Sequence, residues 1–223
     1  MESKATASAV HKLYQSLYTQ TFNKVICIGR NYAEHAKEMK SDIPTKPMIF
    51  DKPLSSIIKS GSTFHLRRPA EIHHEVELCV LIGDTAKDVQ SKDWERYVAG
   101  YFVGIDFTDR DVQSQAKKDG SPWAFAKGAD EFMAVSEFVS KDQVKDPHNL
   151  DLLLTINDKP IQSENTKMLI FQIPTLIEYI TKYMTLNKGD MIMTGTPSGV
   201  GPVKGGDVVK AFLKQDGQEL AHI

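Results

Sequence analysis

Two glutamates, Glu75 and Glu77, sit two residues apart in the stretch His73-His74-Glu75-Val76-Glu77-Leu78. The apolar run that follows, Cys79-Val80-Leu81-Ile82, reads as a buried strand. Side chains two apart on a strand point the same way, so both carboxylates project from one face while Val76 and Leu78 pack on the other. Two carboxylates converging at the entrance to a core need a neutralising cation or proton, and a hard divalent cation bound by oxygen is the simple solution. An exposed strand face carrying two solvated glutamates fits the same spacing, and spacing alone does not separate the two readings. Asp106 is a third acid, set inside the apolar segment from Val98 to Phe107, where a lone carboxylate needs a partner.

A second group of residues carries proton chemistry. Tyr32, His35, Ala36 and Met39 fall at i, i+3, i+4 and i+7 and form one helical face, with Asn31 placed to cap the helix. Glu38 lies three residues after His35, close enough to touch it, and a carboxylate there raises the basicity of a histidine and fixes its tautomer. A core histidine satisfied by a helix neighbour is the alternative. Lys127, in Ala124-Phe125-Ala126-Lys127-Gly128, is either a lysine snorkelling to solvent or a cation positioned in a site. Arg110 and Gln113 share a face of a helix just beyond Asp106, which Thr108-Asp109-Arg110-Asp111 opens as a capping box.

The elements that must position these groups are short. Lys24 to Ile28 is a strand broken by Gly29-Arg30-Asn31, and Met48-Ile49-Phe50 is another, ending at Lys52. Residues 54–72 hold small strands and turns. Ser91 to Tyr97 reads as a short helix capped by Ser91, and Leu152 to Ile156 forms a hairpin through Asn157-Asp158. Pro174 suits the first turn of a helix running to about Met184. Many short strands with few helices predict a β-rich fold closing on itself. The loop Gly195-Thr196-Pro197-Ser198-Gly199-Val200-Gly201-Pro202 lacks both the P-loop and the dinucleotide spacing, and its prolines remove amides that a phosphate cradle would use.

The 223 residues are 41% hydrophobic and 25% charged, enough for a sizeable core, and the net charge of −2 gives no reason to expect nucleic-acid binding. No apolar stretch approaches the ~18 residues of a membrane span. Cys27 and Cys79 both lie in apolar runs, which suggests reduced thiols rather than a disulfide framework. Residues 1–22 are rich in Ser, Thr and Ala and lack arginine. They read as a weak organelle presequence or as a plain N-terminal helix, ahead of a single catalytic domain over residues 23–223. A presequence would place the protein in the mitochondrion of a eukaryote; otherwise the expectation is cytoplasmic.

Five motifs occur in order: Gly29-Arg30-Asn31-Tyr32; His73 to Leu78; Gly104-Ile105-Asp106-Phe107-Thr108 with Arg110-Asp111; Trp123 with Ala126-Lys127; and Thr194-Gly195-Thr196-Pro197 with Gly199-Val200-Gly201. Together they resemble the fumarylacetoacetate hydrolase family, and in particular its small acylpyruvase and oxaloacetate decarboxylase branch, over roughly residues 24 to 213. The resemblance implies an α+β, β-rich fold of the mixed β-sandwich-roll type, a homodimer, and Mg²⁺ or Mn²⁺ as cofactor. It implies Glu75, Glu77 and Asp106 as metal ligands, His35 and Glu38 as a catalytic dyad, and Lys127 as an oxyanion-stabilising group. Arg30, Arg110 and Gln113 would bind substrate, with Thr196 closing the pocket. Asp51 and the segment 54–72 depart from the family pattern, which leaves Lys52 as no more than a candidate pocket residue.

The implied reaction is cleavage of the C–C bond of an acylpyruvate, giving pyruvate and a carboxylic acid through an enolate. Oxaloacetate decarboxylation and oxaloacetate keto–enol tautomerisation use the same enolate and the same residues. A catabolic hydratase or isomerase is a further reading of the family. A non-catalytic metal-binding relative would lack a ligand or a dyad residue, and none is missing. The expected partner is a small 2-keto acid, with no nucleic acid and no membrane.

Overall fold

The computed structural model describes residues 23–66 and 69–223. Both readings of residues 1–22, presequence and helix, lie outside the described residues. The strands are β1 (Val25–Gly29), β2 (Met48–Lys52), β3 (Ile57–Lys59), β4 (Ile72–His74), β5 (Val76–Ile82), β6 (Val98–Asp106), β7 (Thr108–Asp109), β8 (Met133–Val135), β9 (Val139–Ser140), β10 (Asp151–Ile156), β11 (Lys159–Asn165), β12 (Met191–Met193), β13 (Gly201–Pro202), β14 (Val209–Gln215) and β15 (Gln218–His222). The α-helices are short: α1 (Ala33–Glu38), α2 (Arg110–Asp119), α3 (Ala124–Lys127) and α4 (Ile173–Thr181).

The largest sheet runs β2-β1-β12-β5-β6-β8-β3, with β9 added alongside β6. It is mixed: β1 pairs with β12 and β3 with β8 in parallel, while β5 lies antiparallel to both β12 and β6. A second sheet runs β11-β10-β14-β15 and a third β13-β4-β7. This is the β-rich α+β roll that the sequence leads one to expect.

All seven residues of β5 are buried, so both of its faces are covered. Period-two alternation divides them. Val76, Leu78, Val80 and Ile82 join a large core with Leu152, Leu154, Leu213 and the apolar face of α4. Cys79 and Leu81 turn the other way, into a smaller core with Val25, Cys27, Phe102, Met133, Met191 and Met193. Glu77 has the parity of Cys79 and so opens onto the end of this second core. Both cysteines are buried and unbonded.

Several local expectations are corrected. Asn31 does not cap α1, where Tyr32 holds the N-cap position without a side-chain bond. The Asn31 amide instead donates to the carbonyls of Thr194 and Phe171 (2.8 and 2.9 Å) and its oxygen accepts from the Phe171 amide at 2.7 Å. A buried Asn joining three segments satisfies more polar groups than a cap would. Thr108 is not the cap of α2. Asp109 accepts from the Val112 amide at 3.1 Å, because Thr108 is drawn into β7 and its hydroxyl donates to Glu75. Ser91–Tyr97 is a 3₁₀ segment with Gln90, not Ser91, at its N-cap. Helix α4 stops at Thr181, short of Met184. The β10–β11 hairpin is as expected, with Asn157 and Asp158 both at positive φ (51° and 63°), as a tight type I′ turn demands.

Gly104 lies opposite Glu77 in the β5–β6 ladder. A Cβ there would come within 2.5 Å of Cys79 Sγ and 3.1 Å of Met193 Cε. Gly104→Ala is therefore expected to cost about 1–3 kcal/mol by overpacking. Urea unfolding of the two proteins measures it, and a difference below about 0.5 kcal/mol would show that this core gives way freely.

Candidate active site

The site begins at the break between β4 and β5, where Glu75 stands outside both strands. The Glu75 carbonyl accepts from the Asp106 amide at 2.8 Å, which ties the end of β6 to that break. The register then sets Glu77 opposite Gly104, and Asp106, two residues on, opens on the same side. Oxygens of Glu75, Glu77 and Asp106 lie within 4.8 Å of one another, and all three residues are buried.

Burying three carboxylates is costly without compensation, and three cations provide it. Lys127 Nζ donates to Glu75 Oε2 at 2.9 Å and to Asp106 Oδ2 at 2.7 Å. Lys52 Nζ lies 2.7 Å from Asp106 Oδ1 and also donates to the carbonyls of Lys127, Phe107 and Phe132. Arg110 meets Glu75 Oε1 at 2.7 Å, and its other terminal nitrogen donates to Gln113 Oε1 at 2.8 Å. The guanidinium fork is thus turned onto Glu75 and Gln113.

The compensation is uneven. Burial pushes the Glu75 carboxyl up, but Lys127 and Arg110 outweigh it and hold it well below the usual carboxylate range. Burial also pushes Glu77 up, and there the charges of Asp106 and Glu75 add to the push, so it titrates well above the usual range. No described cation pairs with Glu77; its Oε2 accepts from the Gly195 amide at 2.7 Å. That approach depends on Gly195, at φ +103°, where a Cβ would meet Asn31 Cβ at 2.7 Å. On Lys127, burial acts downward and the two carboxylates outweigh it, so the lysine stays charged. Three all-oxygen donors, one without a cation, fit a hard divalent cation.

His35 on α1 is buried, and its Nδ1 lies 3.1 Å from Glu38 Oε2. The Gly199 amide approaches both Glu38 oxygens, at 3.1 and 3.3 Å. With Glu38 accepting at Nδ1, the other ring nitrogen of His35 is the one left to carry basicity. A cavity of about 30 Å³ brings His35 together with Arg30, Glu75, Glu77, Arg110, Gln113, Lys127 and Thr196. Asp106 and Glu38 do not line it; they lie behind Lys127 and His35 as their partners.

Sequence reasoning missed several residues of the site. Lys117 and Phe50 line the cavity, whereas Lys52, a candidate pocket residue from the sequence, does not line it and is a buried cation paired with Asp106. Lys117 carried a signal, since it falls seven residues after Arg110 on α2 and so shares its face. Gln162 carried none. From β11 its oxygen accepts from His74 Nδ1 and the Val76 amide, both at 3.0 Å, one on each side of Glu75. Its amide donates to Thr196 Oγ1 at 2.8 Å and to the Pro197 carbonyl at 3.0 Å.

The family described as fumarylacetoacetate (FAA) hydrolase C-terminal matches residues 24–221. The chain is 47% identical over 191 residues to the mitochondrial oxaloacetate tautomerase FAHD1 of Arabidopsis thaliana, spanning 85% of this chain and 86% of that protein. It is 46% identical over 199 residues to the mitochondrial oxaloacetate decarboxylase of Dictyostelium discoideum, spanning 88% and 91%. Among solved structures, a fumarylpyruvate hydrolase from Pseudomonas aeruginosa in complex with Mn²⁺ and pyruvate superposes with a TM-score of 0.81 at 32% identity, over 90% of this chain and 88% of that one.

Removing Lys52 would leave Asp106 buried beside one cation rather than two. Lys52→Met is expected to destabilise the fold by about 3–5 kcal/mol, the usual penalty for breaking a buried pair. Adding Asp106→Asn to that variant removes the orphaned charge and should recover part of the loss. Chemical denaturation of the single and double variants decides it; a near-neutral single variant would show that Asp106 does not need Lys52.

Proposed function

Since the chain belongs to the fumarylacetoacetate hydrolase family, we propose that it is a divalent-metal-dependent enzyme acting on a small 2-oxo acid by way of an enolate. The observation that carries this is the buried cluster of Glu75, Glu77 and Asp106, of which Glu75 and Glu77 line one cavity with His35, itself paired with Glu38 behind it. The names of two similar relatives point to oxaloacetate, whose keto–enol interconversion or decarboxylation is the first reading. C–C hydrolysis of an acylpyruvate is the second, favoured by the Pseudomonas fumarylpyruvate hydrolase and by a dyad able to activate water.

Glu75, Glu77 and Asp106 would hold Mg²⁺ or Mn²⁺, which supplies Lewis-acid withdrawal of electrons from the 2-keto oxygen. Arg110 and Gln113, linked to each other on α2, orient the substrate carboxylate beside the ligands. Thr196, held by Gln162, closes the opposite wall. His35, kept in one tautomer by Glu38, takes a proton from C3 of oxaloacetate in tautomerisation, or from water in hydrolysis. Lys127 spends two of its three N–H groups on Glu75 and Asp106, and the third is the donor for a developing oxyanion. Decarboxylation needs no base at C3. The working unit is a homodimer, as the family resemblance implies, and in a eukaryote its place is the mitochondrion, as in the names of both relatives.

Glu75→Ala should abolish Mg²⁺ binding and activity together while the protein remains folded. Isothermal titration with Mg²⁺ tests it, and unchanged affinity would remove Glu75 from the ligand set. His35→Ala should lower turnover in tautomerisation or hydrolysis by ~10²–10⁴-fold, the usual contribution of a positioned base. Decarboxylation, followed as CO₂ release, should fall less. Equal and small losses in all three assays would leave His35 a core residue.

A further inference from the structure

Four cationic side chains line the cavity, and they fall into two kinds. Arg110 and Lys127 are ion-paired within the carboxylate cluster, Arg110 with Glu75 and Lys127 with Glu75 and Asp106. Arg30 and Lys117 are not. Among the described residues neither has an ion pair or a side-chain hydrogen bond to an acid, although both face the same cavity. Lys117 lies on the face of α2 that carries Arg110 and Gln113, two turns further from the carboxylate cluster. Its Nζ stands 5.5 Å from the centroid of the Trp123 ring, another wall of the cavity. Burial lowers its proton affinity, and the charges of Arg30, Arg110 and Lys127 add to this against the opposing pull of Glu75. Arg30 holds φ at +57°, a left-handed conformation that a non-glycine residue adopts at some cost, and such strain collects at functional positions.

We infer that Arg30 and Lys117 form a second anion subsite that receives the distal carboxylate of a dicarboxylic 2-oxo acid. The inference rests on the 2-oxo acid reading of the carboxylate cluster. One carboxylate and the keto oxygen of the substrate lie at the ligands beside Arg110. The chain of the substrate runs along α2, and its far carboxylate meets the two uncommitted cations at the mouth. Oxaloacetate and fumarylpyruvate belong to this class; acetylpyruvate and pyruvate, with one carboxylate each, would leave the mouth charges uncompensated. Arg30 and Lys117 are thereby specificity-determining residues, distinct from the groups that carry the enolate chemistry.

The test is binding, which does not depend on which reaction the enzyme performs. Calorimetric titration in Mg²⁺ compares dicarboxylic 2-oxo acids of two lengths, 2-oxoglutarate and 2-oxoadipate, with their monocarboxylic counterparts 2-oxovalerate and 2-oxohexanoate. In the wild type at least one dicarboxylate should bind roughly ten- to a hundredfold tighter than its counterpart, the range of a charge-assisted contact. That preference should weaken as salt rises, because the mouth is open to solvent. Lys117→Met and Arg30→Met should each reduce the ratio several-fold or more, and Lys117→Arg should retain it. Equal binding of both classes by the wild type would overturn the subsite while leaving the 2-oxo acid reading intact. So would variants that weaken both classes alike, since that is a structural effect. If the wild type binds neither class, the 2-oxo acid reading itself fails and the subsite falls with it.

Discussion

The constraint on which the rest of this structure depends is the burial of three carboxylates around one point. Glu75, Glu77 and Asp106 would repel one another strongly in a low-dielectric interior. The fold answers by bringing Lys52, Lys127 and Arg110 from three separate elements onto two of them. Lys52 ends β2, Lys127 ends α3 and Arg110 opens α2, so each cation reaches the cluster from the end of its element. A lysine with almost no exposed surface, whose ammonium lies against one carboxylate and three carbonyls, is as much a bolt between β2, α3 and the end of β6 as it is an ion.

The compensation of the three carboxylates is uneven. Every described cation in contact with the cluster touches Glu75 or Asp106, while Glu77 receives one backbone amide. A purely structural polar network would have every member satisfied, because a partly satisfied one is worse than an apolar core. The glycine-rich loop that resembles a nucleotide cradle explains itself here. Its amides do face anions, but they are the protein's own: Gly195 serves Glu77 and Gly199 serves Glu38. One loop therefore positions both the acid that lacks a cation and the carboxylate that pairs with His35.

Much of this was legible in the sequence, where chemistry and local period coincide. Glu75 and Glu77 sit at strand spacing before an apolar run, His35 and Glu38 at helical spacing, and Asp106 is an acid among Tyr, Phe, Val and Ile. Each is an anomaly against its own neighbours, and the structure brings them together. Gln162 was not legible, because nothing near it in the chain is anomalous, and Lys52 was legible only as a candidate pocket residue, not as the buried partner of Asp106. Gln162 acts on His74 and Val76 from β11 in a different sheet, and no local pattern reports a pairing across so many residues. The caps failed for a related reason: Asn31, Thr108 and Ser91 all have cap-forming side chains, but tertiary partners outbid the local amide for Asn31 and Thr108.

Tautomerisation, decarboxylation and hydrolysis share an enolate, so the residues around the ligands cannot separate them. What differs is needed further out. Tautomerisation asks for a base at C3 and for a proton to reach the enolate oxygen, which the protonated base or a neighbouring donor can supply. Decarboxylation asks that the departing carboxylate lie out of the enolate plane, ionised but free of contacts that hold the negative charge on its oxygens. Hydrolysis asks for a water within reach of His35 on the far side of the substrate. A cation near the distal carboxylate acts on the second of these: it stabilises the charged ground state that decarboxylation must discharge, and so favours retention of the carboxylate. If Arg30 and Lys117 receive the distal carboxylate as proposed, they tilt a dicarboxylic 2-oxo acid toward proton transfer and away from loss of CO₂.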